Sequence, residues 1–577
     1  MSAFLNVEHS VSGRRWAGPS IEEDRRAEAL ARDAAIPLPL ARILASRGVE
    51  AAGVPGFLDP KLRDLMPDPR SLRDIDRAAA RILSAVDRSE RIAVFADYDV
   101  DGGASAALLL CWLRGLGREA TLYVPDRIDE GYGPNATAMA GLARGHSLIV
   151  CVDCGTLSHA AIAAAAGADV VVLDHHLGGE VLPPALAVVN PNRQDESGDL
   201  GQLCAAGVVF LTLVECGRQL RAAGRSAPDL MPFLDLVALA TIADVAPLTG
   251  VNRAFVRSGL AVMARRERPG LRALADVAGV DAAPGPYHLG YLMGPRVNAG
   301  GRVGRADLGA RLLSTPDLAE AQSLADRLNQ LNDDRRAIES AVRDAALAQA
   351  EARGTDGPLV WAAGEGWHPG VVGIVAARLK EATHRPAVVI GFDGDEGKGS
   401  ARSVAGVDLG AAVHRLEAEG LISRGGGHRM AAGLSLTRAQ LEPAMARLGE
   451  LLARQGAGAG AGDLRIDGTL MPGAATVDLV TQIERAGPFG AAAPAPRFAL
   501  PEVTVQAARR VGSGHLKLTV GDGLSARLDA IAFGAADTPL GALLESRARL
   551  HLVGRLELNH WQGRSVVQLR IEDAAAV

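Results

Sequence analysis

Three short apolar runs, IAVFAD (92–97), LIVCVD (148–153) and VVVLD (170–174), each end on an aspartate. Helical patterns lie between or after them, among them SAALLLCWLRGLG (105–117) and HAAIAAAAGA (159–168). β-Branched strands that alternate with helices predict a parallel sheet covered on both faces. In such a sheet the carboxyl ends of the strands share one edge, and ligands bind along it. The pattern therefore brings acids from distant parts of the chain to one place.

The acids are Asp97, Asp99 and Asp101 after the first run, Asp153 after the second and Asp174 after the third, with His175 and His176 directly behind. Any one of them alone reads as a helix cap. Together, in a partly dry crevice, unpaired carboxylates cost several kcal/mol unless a cation joins them. Carboxylate oxygens suit hard divalent ions, and imidazole extends the choice toward Mn²⁺. Asp244, in ALATIADVAPL (238–248), interrupts an apolar helix pattern and is either a further ligand or a helix-end cap. CVDC (151–154) is formally a CxxC pair, but no second pair exists, so a zinc or redox reading is set aside.

Around this unit, residues 1–77 form a mostly helical, Arg-rich segment to which no chemistry is assigned. The α/β unit that carries these acids covers 78–314. The stretch 315–354, which opens TPDLAEAQSLADRLNQ, has neither Pro nor Gly between Pro316 and Gly354 and predicts one long connecting helix. A second, smaller α/β unit covers 355–455. The Gly/Ala repeat in RQGAGAGAGDL (454–464) reads as a flexible linker. The remainder, 456–577, carries five or six short strands with Gly turns, the pattern of a small β-barrel.

Anion-binding candidates lie in three further stretches. SRGGGHRMAAG (423–433) offers Gly426, Gly427 and His428 for close backbone approach, with a helix expected to start after it. GKGSARS (397–403) offers Ser400, Arg402 and Ser403, and GPRVNAGGRVG (294–304) offers Arg296, Asn298 and Arg302. Arg127, in VPDRIDEGYG, is a weaker candidate. Guanidinium forks match phosphate geometry. In the tail, Lys517, Arg527, Arg555, His560, Trp561 and Arg564 form a possible single-strand platform.

Net charge is −6 and the isoelectric point about 6.1, so no strongly basic surface announces a polyanionic partner. Aromatic residues are 3% of the chain, so any strand binding must lean on backbone electrostatics more than on stacking. The start, MSAFLNVEHS, has no signal-peptide pattern, no stretch reads as membrane-spanning, and five cysteines make no disulfide framework. The expected location is cytoplasmic, with no membrane partner.

DYDVDG (97–102), VDCG (152–155), DHH (174–176) and ADVAPL (243–248) resemble the ordered motifs of the DHH phosphoesterases, and SRGGGHRMAAG resembles the signature of their companion DHHA1 domain. The resemblance implies a parallel-sheet DHH domain joined by a long helix to a smaller α/β DHHA1 domain, with an oligonucleotide-binding-like (OB-like) C-terminal barrel. It implies Asp97, Asp99, Asp101, Asp153, His175 and Asp244 around two divalent ions, Mn²⁺ or Mg²⁺. Asp101, Asp153, His175 and His176 would carry the chemistry. Arg127, Arg296, Asn298, Arg302, Ser400, Arg402, Ser403, Gly426, Gly427 and His428 would bind substrate. Within the family this architecture implies a 5′→3′ exonuclease of single-stranded DNA, acting in repair and recombination. By family resemblance it would be a monomer, with single-strand-binding protein and a RecQ-type helicase as partners. The alternatives are another family phosphoesterase (an oligonucleotide or cyclic-dinucleotide hydrolase, or a pyrophosphatase) or a non-catalytic Cdc45-like binding protein.

Overall fold

The structure is a computed structural model that describes residues 3–127, 129–457, 462–523, 526–561 and 564–577. It divides into two compact units. One comprises Pro67–Ala246 and Phe255–Gly460, the other Met1–Met66, Pro247–Ala254 and Ala461–Val577.

The first unit opens with five strands: β1 (Ile92–Ala96), β2 (Ala120–Tyr123), β3 (Leu148–Val152), β4 (Asp169–Leu173) and β5 (Ala187–Val189). Their order is β2-β1-β3-β4-β5, and every pairing is parallel. The chain order reverses between β1 and β3, and a reversal of this kind leaves a crevice at the carboxyl edge. β1 and β3 are buried along their whole length, as their unbroken apolar sequence requires. α1 (Val100–Gly115) follows β1, and α2 (Ala205–Ala222), α3 (Leu234–Ala243) and α4 (Gly294–Val303) continue the helical part of the unit.

α5 (Leu318–Arg353) is a single helix of 36 residues, started by Asp317, whose side chain accepts from the Glu320 amide. At 1.5 Å per residue it is about 54 Å long. Beyond it lies a second sheet, built from β6 (Val360–Glu365), β7 (Ala387–Asp393), β8 (Glu396–Arg402), β9 (Arg424–His428) and β10 (Ala431–Thr437). Its order is β9-β10-β8-β7-β6, with only β6 and β7 parallel. α6 (Pro369–Thr383) lies across β7 and β8, with proline at its first position, where no N–H is missed.

The Gly-rich stretch 424–428 corrects one expectation. It is the edge strand β9, paired antiparallel with β10 through Gly426–Gly433 and Gly427–Ala432, and no helix follows until Arg438. At Gly427, whose φ is +149°, a Cβ would collide with the backbone of Ala431 and Ala432. Glycine there serves the tight hairpin.

In the second unit, β11 (Phe498–Val511), β12 (His515–Gly521), β13 (Arg527–Ala532), β14 (Arg549–Trp561) and β15 (Arg564–Ala576) run in the order β11-β12-β13-β15-β14, and β14 pairs back to β11. This closed five-stranded barrel has the Greek-key order of an OB fold. The N-terminal segment is part of this unit. Trp16–Ala17 pairs in parallel with Leu464–Arg465, and the Trp16 indole donates to Asp573 at 2.9 Å. Helices Ile21–Asp33 and Leu38–Ser46 contribute Leu30, Leu40 and Leu44 to a core shared with Ile483 and Phe498. The side chains of His560 and Trp561 lie outside the described residues, as do residues 458–461 of the Gly/Ala linker.

Candidate active site

The register of the first sheet places its strand ends flush. Ala96 pairs with Val152, Val152 with Leu173 and Leu173 with Val189. The next residue on each strand is therefore level with the others: Asp97, Asp153, Asp174 and Asn190. Asp153 adopts φ +60°, the left-handed region that aspartate tolerates better than most residues with a side chain.

α1 begins at this edge. Asp99 caps it, accepting from the amides of Asp101 at 2.9 Å and Gly102 at 3.2 Å. Gly102 must be glycine, since a Cβ there would sit 2.8 Å from the Asp97 backbone nitrogen and nearer still to its carbonyl oxygen. Asp101 is buried and accepts from the first two amides of α2, those of Ala205 at 2.7 Å and Ala206 at 2.9 Å. Asp244 follows α3 directly.

His175 Nε2 is the hub. It lies 3.3 Å from Asp153 Oδ1, 3.7 Å from Asp101 Oδ2 and 3.9 Å from Asp244 Oδ2. Three overlapping groups have ligand atoms within 4.8 Å of one another: Asp153, His175 and His176; Asp101, His175 and Asp244; Asp97, Asp99 and Asp153. All six residues expected to hold cations from the sequence thus fall in one cluster, with His176 beside them.

Two oxygens in the cluster, Asp97 Oδ1 and Asp153 Oδ1, are buried and accept no hydrogen bond from the described residues. Burial, then the neighbouring acids, pushes the carboxyls of Asp97 and Asp153 far above the usual carboxylate range. Burial likewise raises Asp101, against the pull of His175, and raises Asp244 to about 8 with help from Asp101 and Asp99. Buried carboxylates that resist ionisation and leave oxygens unpartnered fit a pair of divalent cations in both charge and donor type.

Asp174 behaves differently. Its carboxylate accepts from the Thr156 hydroxyl at 2.6 Å, the Thr156 amide at 3.1 Å, the His175 amide at 2.8 Å and His176 Nδ1 at 2.8 Å. Although burial opposes it, the His176 hydrogen bond and charge hold Asp174 well below its ordinary value. Burial opposes the charge on His176 too, yet the Asp174 carboxylate carries it up to about 9. Asp174 therefore sets the two histidines in place.

Two groups are not anticipated from the sequence. Tyr132 Oη donates to the Asp153 carbonyl at 3.2 Å and lies 3.1 Å from His176 Nδ1 and 3.2 Å from its Nε2. Asn190 donates to the Thr156 hydroxyl and to the His176 carbonyl, each at 2.8 Å. Asn190 has a recoverable signal, since it ends the apolar run ALAVVN as the aspartates end theirs. Tyr132 has none.

A second site lies in the same unit. A cavity of about 590 Å³ is lined by Arg127, Arg302, Ser400 and Arg402, together with the first turn of α6. None of the three guanidinium groups makes an ion pair with a carboxylate among the described residues. Arg302 donates to the Gly370 carbonyl at 3.1 Å, and Arg402 to Ser400 Oγ at 2.9 Å. Arg127 stands 5.2 Å over the Tyr98 ring. Burial, then the Arg127 charge, pushes Arg302 down to about 10 and lowers Arg402. Cations that destabilise one another without a counter-ion mark an anion site.

The other substrate candidates lie outside this cavity's lining. Arg296 is spent on the Leu292 carbonyl at 2.7 Å and Asn329 at 2.9 Å. Asn298 accepts from the Val100 amide at 3.0 Å and so ties α4 to the start of α1. Ser403 is buried and donates to the Val407 carbonyl at 2.9 Å. Gly426, Gly427 and His428 stand on the edge strand, where His428 is exposed.

Comparison with known proteins adds three family matches: the DHH family N-terminal domain over residues 91–241, the DHHA1 domain over 356–454 and the RecJ OB domain over 466–573. The single-stranded-DNA-specific exonuclease RecJ of Dickeya dadantii is 39% identical, over 93% of this chain and 96% of that protein. The protein of the same name from Escherichia coli is 37% identical, over 94% and 96%. Among solved structures, RecJ of Thermus thermophilus in complex with Mn²⁺ superposes with a TM-score of 0.80 at 30% identity, covering 97% of this chain and 79% of that one.

Proposed function

The chain belongs to the RecJ family of single-stranded-DNA-specific exonucleases, and from that premise we propose that it removes nucleotides from the 5′ end of single-stranded DNA by metal-dependent hydrolysis. The observation that carries this reading is the pairing of two opposite sites in one unit, a buried carboxylate cluster and a guanidinium cradle without counter-ions among the described residues.

Asp97, Asp99, Asp101, Asp153, His175 and Asp244 would hold two divalent ions, Mn²⁺ or Mg²⁺. When bound, such ions activate the attacking water and offset charge that builds on the scissile phosphate. The rest of the work falls to the protein. Amides at the start of α2 fix Asp101, and the left-handed backbone at Asp153 aims its carboxylate into the shared space. His176 commits Nδ1 to Asp174, which leaves Nε2 to donate to Tyr132 or to the departing 3′ oxygen of substrate. Arg127, Arg302, Ser400 and Arg402 would grip the terminal 5′ phosphate, and an anchored terminus makes the enzyme an exonuclease.

The OB barrel would bind the strand further along. A hydrolase for pyrophosphate or a dinucleotide has no use for such a unit. No helix among the described residues is long and apolar enough to cross a membrane. By family resemblance the protein would act in repair and recombination in the cytoplasm, as a monomer beside single-strand-binding protein and a RecQ-type helicase. Digestion of single-stranded DNA labelled at either end, with Mn²⁺, Mg²⁺ or a chelator, tests the reading. Mononucleotides should appear from the 5′ label first and only with metal. Release from the 3′ label first would overturn it.

A further inference from the structure

The cavity around Arg402 extends beyond the groups needed for one phosphate. It continues as a groove between α6 and β8, with Gly370, Gly373 and Arg378 along the helix and Arg402, Ser400 and Lys398 along the strand. From Gly370 to Arg378 the helix rises about 12 Å, and from Arg402 to Lys398 the strand advances about 13 Å. A terminal phosphate fills only one end of that length.

The two ends differ. At the Arg402 end the walls are close: a Cβ on Gly373 would lie 3.0 Å from Arg402 Nη2 and 3.1 Å from Ser400 Oγ. At the other end Arg378 is already committed to Glu381 at 2.9 Å. Lys398 is exposed and makes no ion pair with a described residue. Arg127, Arg302, Arg402 and Lys398 line one cavity and therefore present more positive charge than a monophosphate neutralises.

We propose that this groove accepts a 5′-polyphosphorylated oligonucleotide end, the α-phosphate on Arg402 and Ser400 and the further phosphates running toward Lys398. The inference rests on the 5′-end reading above. Water adds to the phosphorus between the first and second nucleotides, the P–O3′ bond breaks, and O3′ takes a proton. The first product is then a nucleoside 5′-triphosphate, and the shortened strand carries an ordinary 5′ monophosphate.

The same chemistry exists in free nucleoside triphosphates, so the experiment separates the two sources. Three oligodeoxynucleotides of one sequence, with 5′-triphosphate, 5′-monophosphate or 5′-hydroxyl ends, are digested by the wild-type protein and by Lys398→Ala, with and without added ATP. The triphosphate end should be digested with a KM no higher than that of the monophosphate end, releasing nucleoside triphosphate. Lys398→Ala should raise that KM roughly tenfold, the loss of one charged contact, and leave the monophosphate KM in place. A triphosphate end no better than the hydroxyl end overturns the proposal, as does a Lys398→Ala effect equal on both phosphorylated ends. So does ATP competing with the monophosphate end through Lys398 while the triphosphate end is refused. If the monophosphate end itself is not digested, the underlying 5′-end reading has failed instead.

Discussion

The two sites of the larger unit are built from opposite charges by opposite means. The acidic cluster sits at strand ends whose positions follow from sheet geometry, and Asp97, Asp153 and Asp174 each directly follow a paired residue. The guanidinium cradle draws Arg127 from a turn, Arg302 from the end of α4 and Arg402 from the end of β8, and no sheet edge aligns them. Yet both are dominated by like charge: His175 and His176 offset the acids only in part, and the three arginines make no ion pair with a described carboxylate. In the cluster, burial raises Asp97, Asp101, Asp153 and Asp244; in the cradle, burial lowers Arg302 and Arg402. A fold that tolerates such strain in two places is arranged for two ligands of opposite sign.

Removing one member of each site breaks the comparison most directly. Asp153→Ala should lower kcat by about 10³-fold or more, the scale expected when a metal site is lost. It should spare binding of 5′-phosphorylated single strands, measured with metal withheld. Because that aspartate is a buried, repelled acid, the variant's metal-free melting temperature should not fall, whereas the rise seen on adding Mn²⁺ to the wild type should shrink. Activity within about tenfold of wild type would remove Asp153 from the ligand set.

Gly102→Ala tests geometry without touching charge. Its methyl group would push Asp97 away from the cluster, and misplacement of this order costs about 10²-fold in kcat. A substrate KM close to wild type would show that the cradle is unaffected. Arg402→Ala reverses the pattern. Its KM for 5′-phosphorylated ends should rise roughly tenfold or more, with kcat nearly held and little change on 5′-hydroxyl ends. Equal kinetics on the two ends in both proteins would refute the cradle assignment.

The smallest effect is a pH trend in the metal-free protein. Asp244 titrates at about 8 in the folded state against 3.8 as a free side chain, so the folded chain binds more protons than the unfolded one between those values. Stability then falls as pH rises through that window. The melting temperature without metal should drop by several degrees between pH 5 and pH 8. Saturating Mn²⁺ should flatten the slope, because the cation takes the proton's place. A metal-free melting temperature that rises over this range would contradict the burial of these acids.

Some of this is legible in the chain alone. An apolar run that ends in acid, repeated with helices between, already implies a parallel sheet with carboxylates on its rim, and Asp97, Asp99, Asp101, Asp153, His175 and Asp244 are found within reach of one another. The uninterrupted helix and the barrel strands follow from the absence of breakers in one stretch and from alternation in the other. The Gly-rich stretch misleads because triple glycine permits both a turn and a tight edge strand, and only pairing with Ala431–Thr437 chooses between them.

Asn298 illustrates the opposite case. Its sequence context marks it as a phosphate donor, whereas its carboxamide is used to hold α4 against α1. Tyr132 lies within VPDRIDEGYG beside Arg127 and carries no mark of its own, since nothing local says that its hydroxyl meets His176. The association of Trp16 with Asp573 across 557 residues is equally invisible in the chain. Strand direction and side-chain alternation are local rules, and a site that depends only on them can be read residue by residue. The cradle, the tyrosine and the N-terminal anchor depend on which surfaces meet after the elements have formed. That choice is made by packing and burial summed over the whole molecule.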